Sequence, residues 1–256
     1  MNIIVCIKRV PQTAEADVKI DSSGKDIIKE RLAFDMNESD SYALEEAILL
    51  KEKYGGSVTV ISLGYPDTED TLRIALAKGG DLAIRIKAEE LGEIDGYKTA
   101  KILSSVIKGL NYDLILTGCM ATDDGYSMVG QTLAESLGIT HATLVTKLEV
   151  VDKKLQVYRE LEGGLLEHLE LSLPALVTIQ TGINTPRFAS LIAIRRAASK
   201  EIKTIGKSEL PSDIDTHSIL EELFLPPVGK RAEILTGSAD EVATKIAGII
   251  KEKGLL

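Results

Sequence analysis

Few residues of this 256-residue chain are typed and spaced for bond-making chemistry. The three histidines, His141, His168 and His217, share no ligand-like or triad-like spacing. Cys6 sits in an apolar run and Cys119 in a Gly-containing turn, so the chain carries neither a disulfide framework nor a Cys-rich metal scaffold. No catalytic residue and no metal ligand is assigned, and the cysteine usage fits a reducing, cytoplasmic setting. What remains is suited to holding a ligand. The segment Gly118-Cys119-Met120-Ala121-Thr122-Asp123-Asp124-Gly125 sets two carboxylates ahead of a helical stretch. Free N–H groups at a helix start suit a phosphate, and Asp123 or Asp124 can hold ribose hydroxyls. An Asp before a helix is equally an ordinary N-cap, and the spacing leaves both readings open. Asp35-Met36-Asn37-Glu38-Ser39-Asp40 is either a capping segment, with Ser39 or Asp40 as cap, or brings the Asn37 amide to an adenine or flavin edge. Neither Gly-x-x-x-x-Gly-Lys-Ser/Thr nor Gly-x-Gly-x-x-Gly occurs, which removes support for P-loop and standard dinucleotide chemistry.

The elements that must position these residues read as an α/β fold, a mostly parallel doubly wound sheet with helices on both faces. Strands are predicted at 3–7, 58–63, 82–86 and 114–117. Between them Leu44, Ala47 and Ile48, then Leu72, Ala75, Leu76 and Gly79, then Leu103, Val106, Ile107 and Leu110 follow the stripe of an amphipathic helix. A fourth helix is predicted over 126–137, stopped by Gly138. If the strand order is 3-2-1-4-5, the crevice where it reverses is lined by Lys8-Arg9-Val10-Pro11 and by the Gly118–Gly125 loop. From Thr143 the apolar period changes to two, which predicts a small region of antiparallel hairpins, one turned by Glu162-Gly163-Gly164. Ala175 to Ile179 reads as a strand inserted into the main sheet. Arg195-Arg196 reads as a solvated helix face. Beyond it, 200–228 carries scattered charge and prolines and is expected to form an extended arm. A helix over 240–251 closes it, with Val242, Ile246, Ile249 and Ile250 on one face. The expected division is a nucleotide-binding domain at 1–197 and a C-terminal arm at 198–256.

Composition narrows the function classes. A net charge of −9 opposes nucleic-acid binding. The apolar runs are too short to cross a bilayer, and the start reads directly into a strand without a targeting segment. With no Trp and 3 Phe, an aromatic base-stacking platform is not expected.

Longer stretches carry a resemblance. Val157-Tyr158-Arg159-Glu160-Leu161-Glu162-Gly163-Gly164-Leu165-Leu166-Glu167, continued by Leu173-Pro174-Ala175-Leu176-Val177-Thr178, resembles the signature of the electron transfer flavoprotein β subunit. Asn184-x-Pro186-Arg187-Phe188-Ala189-Ser190-Leu191 is similar to the family's Asn-x-Pro-Arg-Tyr/Phe segment. Asn37 with Ala43-Leu44-Glu45-Glu46-Ala47 is similar to its Asn-x-x-x-x-x-Ala-x-Glu-Glu-Ala. The Asp123 and Tyr126 loop and Lys230-Arg231-Ala232 most resemble the branch that serves trimethylamine dehydrogenase. The resemblance implies an electron carrier rather than an enzyme. It would pair with an α subunit that holds most of a shared FAD, the C-terminal arm wrapping that subunit. AMP would be a structural ligand at Cys6, Asn37, Leu63, Ala121, Asp123, Asp124, Ser127, Met128, Val129 and Gly130. Leu191 matches the residue that docks into partner dehydrogenases, such as acyl-CoA dehydrogenase, and a quinone-linked oxidoreductase would follow downstream. The family's bifurcating branch holds a second FAD in the same crevice and oxidises NADH. Val129 stands where many AMP-binding members have Thr, whereas Asp123-Asp124-Gly125-Tyr126 departs from the bifurcating Asp-Gly-Asp-Thr. A free-standing stress-type nucleotide-binding domain of the same topology is the third class, and the arm argues against it.

Overall fold

The structure is a computed structural model that describes residues 1–14, 16–227, 229 and 232–255. Lys230 and Arg231, used in the resemblance above, lie outside the described residues. The chain divides into two compact units, Met1–Glu221 and Glu222–Leu256.

The first unit is built on nine strands in one sheet. Five run parallel in its centre: β1 (Asn2–Cys6), β4 (Ser57–Gly64), β5 (Leu82–Lys87), β6 (Leu114–Gly118) and β10 (Ala175–Ile179). Two short strands, β2 (Arg9–Pro11) and β3 (Phe34–Met36), pair separately as an antiparallel ribbon. The remaining members are β7 (Thr140–Val151), β8 (Lys154–Leu161), β9 (Leu165–Ser172) and β11 (Ile202–Ile205), and the order is β11-β5-β4-β1-β6-β10-β7-β8-β9. The predicted reversal on either side of the first strand is present. β10 is inserted between β6 and the first half of β7, and the second half of β7 leads into the antiparallel β7-β8-β9 extension. The β8–β9 turn uses Gly163 and Gly164 at φ of 77° and 74°, the left-handed region that a side chain resists.

Alternation along the parallel strands sorts the helices to both faces. Ile3, Val5, Val58, Val60, Leu114 and Leu116 pack with Leu44, Ala47 and Ile48 of α1 (Glu38–Tyr54) and Leu72, Ala75 and Leu76 of α2 (Thr68–Lys78). On the opposite face Ile4, Cys6, Ile61, Ile84, Ile86 and Ile115 pack with Ala100, Leu103 and Ile107 of α3 (Gly96–Ile107) and Leu133 and Ala134 of α4 (Val129–Leu137). α5 (Leu191–Ala198) adds Ala197 to the first face.

One local expectation is corrected. The fourth helix starts at Val129, not at 126, because Ser127 takes a φ of 51° and cannot continue a right-handed helix. Within the segment after 200, Ile202–Ile205 adds to the sheet edge beside β5, and the first unit runs on to Glu221. Ile205 is buried against the second core, which a four-residue strand can achieve without a long periodic pattern.

In the second unit, α6 (Ala239–Glu252) begins with a capping box. Ser238 Oγ accepts from the Glu241 N–H, and Glu241 Oε2 accepts from the Ser238 N–H at 2.8 Å. Within that unit none of the α6 residues is buried, and Ile246 and Ile249 of its apolar stripe are exposed. No helix among the described residues is long and apolar enough to cross a membrane.

Candidate functional site

The crevice outside the carboxyl ends of β1, β4 and β6 is assembled around Lys8, which is tied at three atoms. Its carbonyl accepts from the Asn37 N–H at 2.8 Å, its N–H donates to Asp40 Oδ2 at 2.7 Å, and its ammonium spans to Asp123 Oδ1 at 2.7 Å and Asp124 Oδ2 at 2.8 Å. Burial lowers the Lys8 pKa, but the two carboxylates outweigh it and hold the ammonium above its ordinary value. The β2–β3 ribbon fixes the lip of this loop, with the Arg9 guanidinium 4.1 Å over the Phe34 ring and 2.8 Å from Asp67.

Asp123 and Asp124 therefore do not cap α4; the N-cap is Met128, which supplies no side-chain bond. Their carboxylates face Lys8, while Asp124 Oδ1 also accepts from the Tyr126 N–H at 3.2 Å and closes the turn. Neither Ser39 nor Asp40 caps α1, whose N-cap is Asn37. The Asn37 amide stitches the β6–α4 loop instead: Nδ2 donates to Met120 O at 2.9 Å and to Ser39 Oγ at 3.1 Å, and Oδ1 accepts from the Thr122 N–H at 3.1 Å. Ala121 closes the loop by accepting from the Gly125 N–H at 2.9 Å.

The remaining predicted positions lie at the ends of β1 and β4 and around the start of α4. Cys6 ends β1 in register with Ile61 and Thr117, and burial pushes its thiol up to about 12, which leaves it an inert apolar wall. Leu63 lies near the end of β4 and packs partly on the second core. Met128 and Val129 adjoin the start of α3, where a Cβ on Gly96 would fall 2.8 Å from Met128 Cγ. Gly130 lets α4 approach the sheet, since a Cβ there would fall 2.4 Å from Thr178 Cγ2. The first helical bond of α4 is made by the Thr132 N–H to Met128 O, so the N–H groups of Val129, Gly130 and Gln131 precede the helix's own ladder. Gln131 Oε1 is buried there without a partner. This combination of helix-start donors, one ammonium and two carboxylates fits the phosphate and ribose of an adenylate.

Leu191 is not brought to this crevice. Its segment is anchored farther along α1, where Asn184 Nδ2 donates to Tyr42 O at 3.1 Å and Glu46 Oε2 at 3.0 Å. Arg187 forks onto Glu45 and Glu52 at 2.6 to 3.1 Å, and its pKa is raised by the bonds to Glu52 and then Glu45. Two motifs separated by about 140 positions thus explain each other: the buried Glu45-Glu46 pair receives the Asn and Arg of the other. The anchored loop leaves Phe188 98 % and Leu191 76 % exposed.

Asp40, Ser39 and Gly118 were not marked as site residues by sequence reasoning. A signal was present for one of them. Asp40 stands three, four, seven and eight positions before Ala43, Leu44, Ala47 and Ile48, so its carboxylate is in phase with the buried stripe of α1. Among the described residues no group of three or more His, Cys, Asp or Glu is placed to hold a metal ion.

The fold defines a doubly wound α/β protein whose strand order reverses beside β1, where the β1 and β6 loops meet. A model of the electron transfer flavoprotein domain matches residues 26–210. The chain is 36% identical to an electron transfer flavoprotein subunit beta of Methylophilus methylotrophus, covering 98% of both chains, and 37% identical to one of Bacillus subtilis, covering 99% of this chain and 98% of that one. It is also 33% identical, over the full length of both, to the caffeyl-CoA reductase-Etf complex subunit CarD of Acetobacterium woodii. The chain belongs to the electron transfer flavoprotein β-subunit family.

Proposed function

We propose that this chain is the β half of a heterodimeric electron carrier. It pairs with an electron transfer flavoprotein α subunit, takes electrons from flavin-dependent dehydrogenases of the acyl-CoA dehydrogenase kind onto an FAD shared with α, and passes them to a quinone-linked oxidoreductase. AMP sits as a structural ligand in the crevice lined by Cys6, Asn37, Leu63, Ala121, Asp123, Asp124 and the 127–130 helix start. The flavin, when bound, supplies the redox chemistry, and the chain's work is to hold, orient and shield it in a cytoplasmic complex. The observation that carries this reading is the juncture of the β1 and β6 loops, where Lys8 pairs with both Asp123 and Asp124 close to the start of α4. The ammonium offsets one of the two carboxylate charges, so the phosphate is drawn by the positive end of α4 while the remaining carboxylate acceptors suit ribose hydroxyls.

The resemblance of CarD, a subunit of a reductase-Etf complex, together with Val129, supports a second reading: a second FAD in the same crevice and oxidation of NADH. Co-expression with an α chain followed by heat extraction separates the two. About one FAD and one AMP per heterodimer is the result expected of the carrier. Two FAD with NADH-dependent flavin reduction assigns the bifurcating role, and a colourless pair without nucleotide defeats both.

A further inference from the structure

We infer that Asp40 is the positioning residue of the nucleotide crevice, its carboxylate setting the gap between the β1 and β6 loops by accepting one backbone N–H from each. This rests on the reading of that crevice as an adenylate site.

Oδ2 takes the Lys8 N–H at 2.7 Å and Oδ1 takes the Gly118 N–H at 3.0 Å, so one side chain on α1 bridges the two strands between which the sheet order reverses. The fit is close. A Cβ on Gly118 would fall 2.2 Å from Asp40 Oδ1 and 2.2 Å from Ser39 Oγ, so only glycine lets the β6 loop approach. The bridge decides where the Lys8 ammonium and the Asp123-Asp124 carboxylates stand, because those groups leave from the residues it holds. A carboxylate has a strong acceptor for each N–H group, whereas a carboxylic acid offers one of them only a weak hydroxyl acceptor and an amide offers it a donor instead. One buried N–H is then poorly partnered in the acid and unpartnered in the amide, and the loop that carries it is released.

The surroundings do not supply a second charge strong enough to stabilise the ion. Asp40 is buried, and desolvation pushes its pKa up to about 7, opposed by the Asn37 side chain, the Lys8 and Gly118 N–H groups and the Lys8 charge. The other titratable groups facing it are the thiols of Cys6 on β1 and Cys119 after β6; both are raised chiefly by their own burial. Asp123 and Asp124 reach it only through Lys8.

The test uses the full chain and AMP as probe. In the wild-type protein the backbone amide resonances of Lys8 and Gly118 are expected to shift together with one midpoint near pH 7, and AMP is expected to bind more weakly below that midpoint. Asp40→Asn is expected to weaken AMP about tenfold or more and to flatten that pH dependence. Amides that do not respond to pH in this window, or an Asp40→Asn protein that binds AMP like the wild type across the window, overturn the inference. The amide titration needs no variant, so it decides the matter even where Asp40→Asn fails to fold. A wild-type protein that ignores AMP overturns the nucleotide reading, and the bridge is then judged by the amides alone.

Discussion

Asp40 shows how a residue's role and its cost to stability separate. Its pKa is raised in the folded chain from 3.8 to about 7, so between those values the folded protein binds more protons than the unfolded one. Stability from this group is therefore greatest at the acid end of the window and falls as the pH rises to about 7. The charged form that bridges Lys8 and Gly118 is the form the fold holds least comfortably. Thermal melts of the wild type and Asp40→Asn between pH 4 and pH 8 check the sign. The wild-type Tm is expected to fall relative to the variant as the pH rises, and parallel curves would contradict it. Cys6 illustrates the opposite case, a titratable group whose burial simply silences it.

At the scale of elements, α1 does two jobs with two faces. Its N-cap and first turn hold the crevice through Asn37 and Asp40, and its second to fourth turns receive Asn184 and Arg187 through Glu45, Glu46 and Glu52. The Glu45 side chain is only 5 % exposed, and the Arg187 fork is its partner there. Arg187→Ala leaves that carboxylate buried and alone. The expected loss is about 2 kcal/mol, below the range for fully enclosed pairs because Arg187 is itself partly exposed. Arg187→Lys loses part of this, since an ammonium cannot make the bidentate bond. Chemical denaturation measures both, and an Arg187→Ala protein as stable as the wild type would show that the fork is ornamental. The same substitution frees the loop that displays Phe188 and Leu191. Reduction of the holo-pair by a flavin dehydrogenase is therefore expected to slow in Arg187→Ala even where flavin content is unchanged.

At the scale of the whole molecule, the chain presents two units with different grounds for stability. Met1–Glu221 contains the nine-stranded sheet, both core clusters and every residue of the crevice. Glu222–Leu256 contains a well-capped helix whose apolar stripe has no core of its own. We propose that this second unit, with the residues from 198 that precede it, is the part that wraps the α subunit. A chain ending at Glu221 is expected to keep its circular dichroism per sheet residue and its AMP affinity while losing co-purification with α. Retained pairing with α would show that residues 222–256 are not what wraps it.

Much of this was legible in the residues alone because its physics is local. Period-two and period-3.6 apolar patterns follow from strand and helix geometry, so the parallel strands, the inserted 175–179 strand and the Gly163-Gly164 turn could be read directly. The long motifs likewise carried the family. What the chain could not show by itself was pairing between distant positions. Asp123 and Asp124 look like helix caps until Lys8, more than a hundred residues earlier, is folded against them. Glu45-Glu46 stands in the sequence without a partner in view until the fold brings Arg187 and Asn184 to it. Ile202–Ile205 has no period long enough to announce a strand, and becomes one because the open edge of β5 offers unpaired N–H and C=O groups. Charges and strand edges are satisfied by whatever the fold brings near, and only the tertiary structure decides what that is.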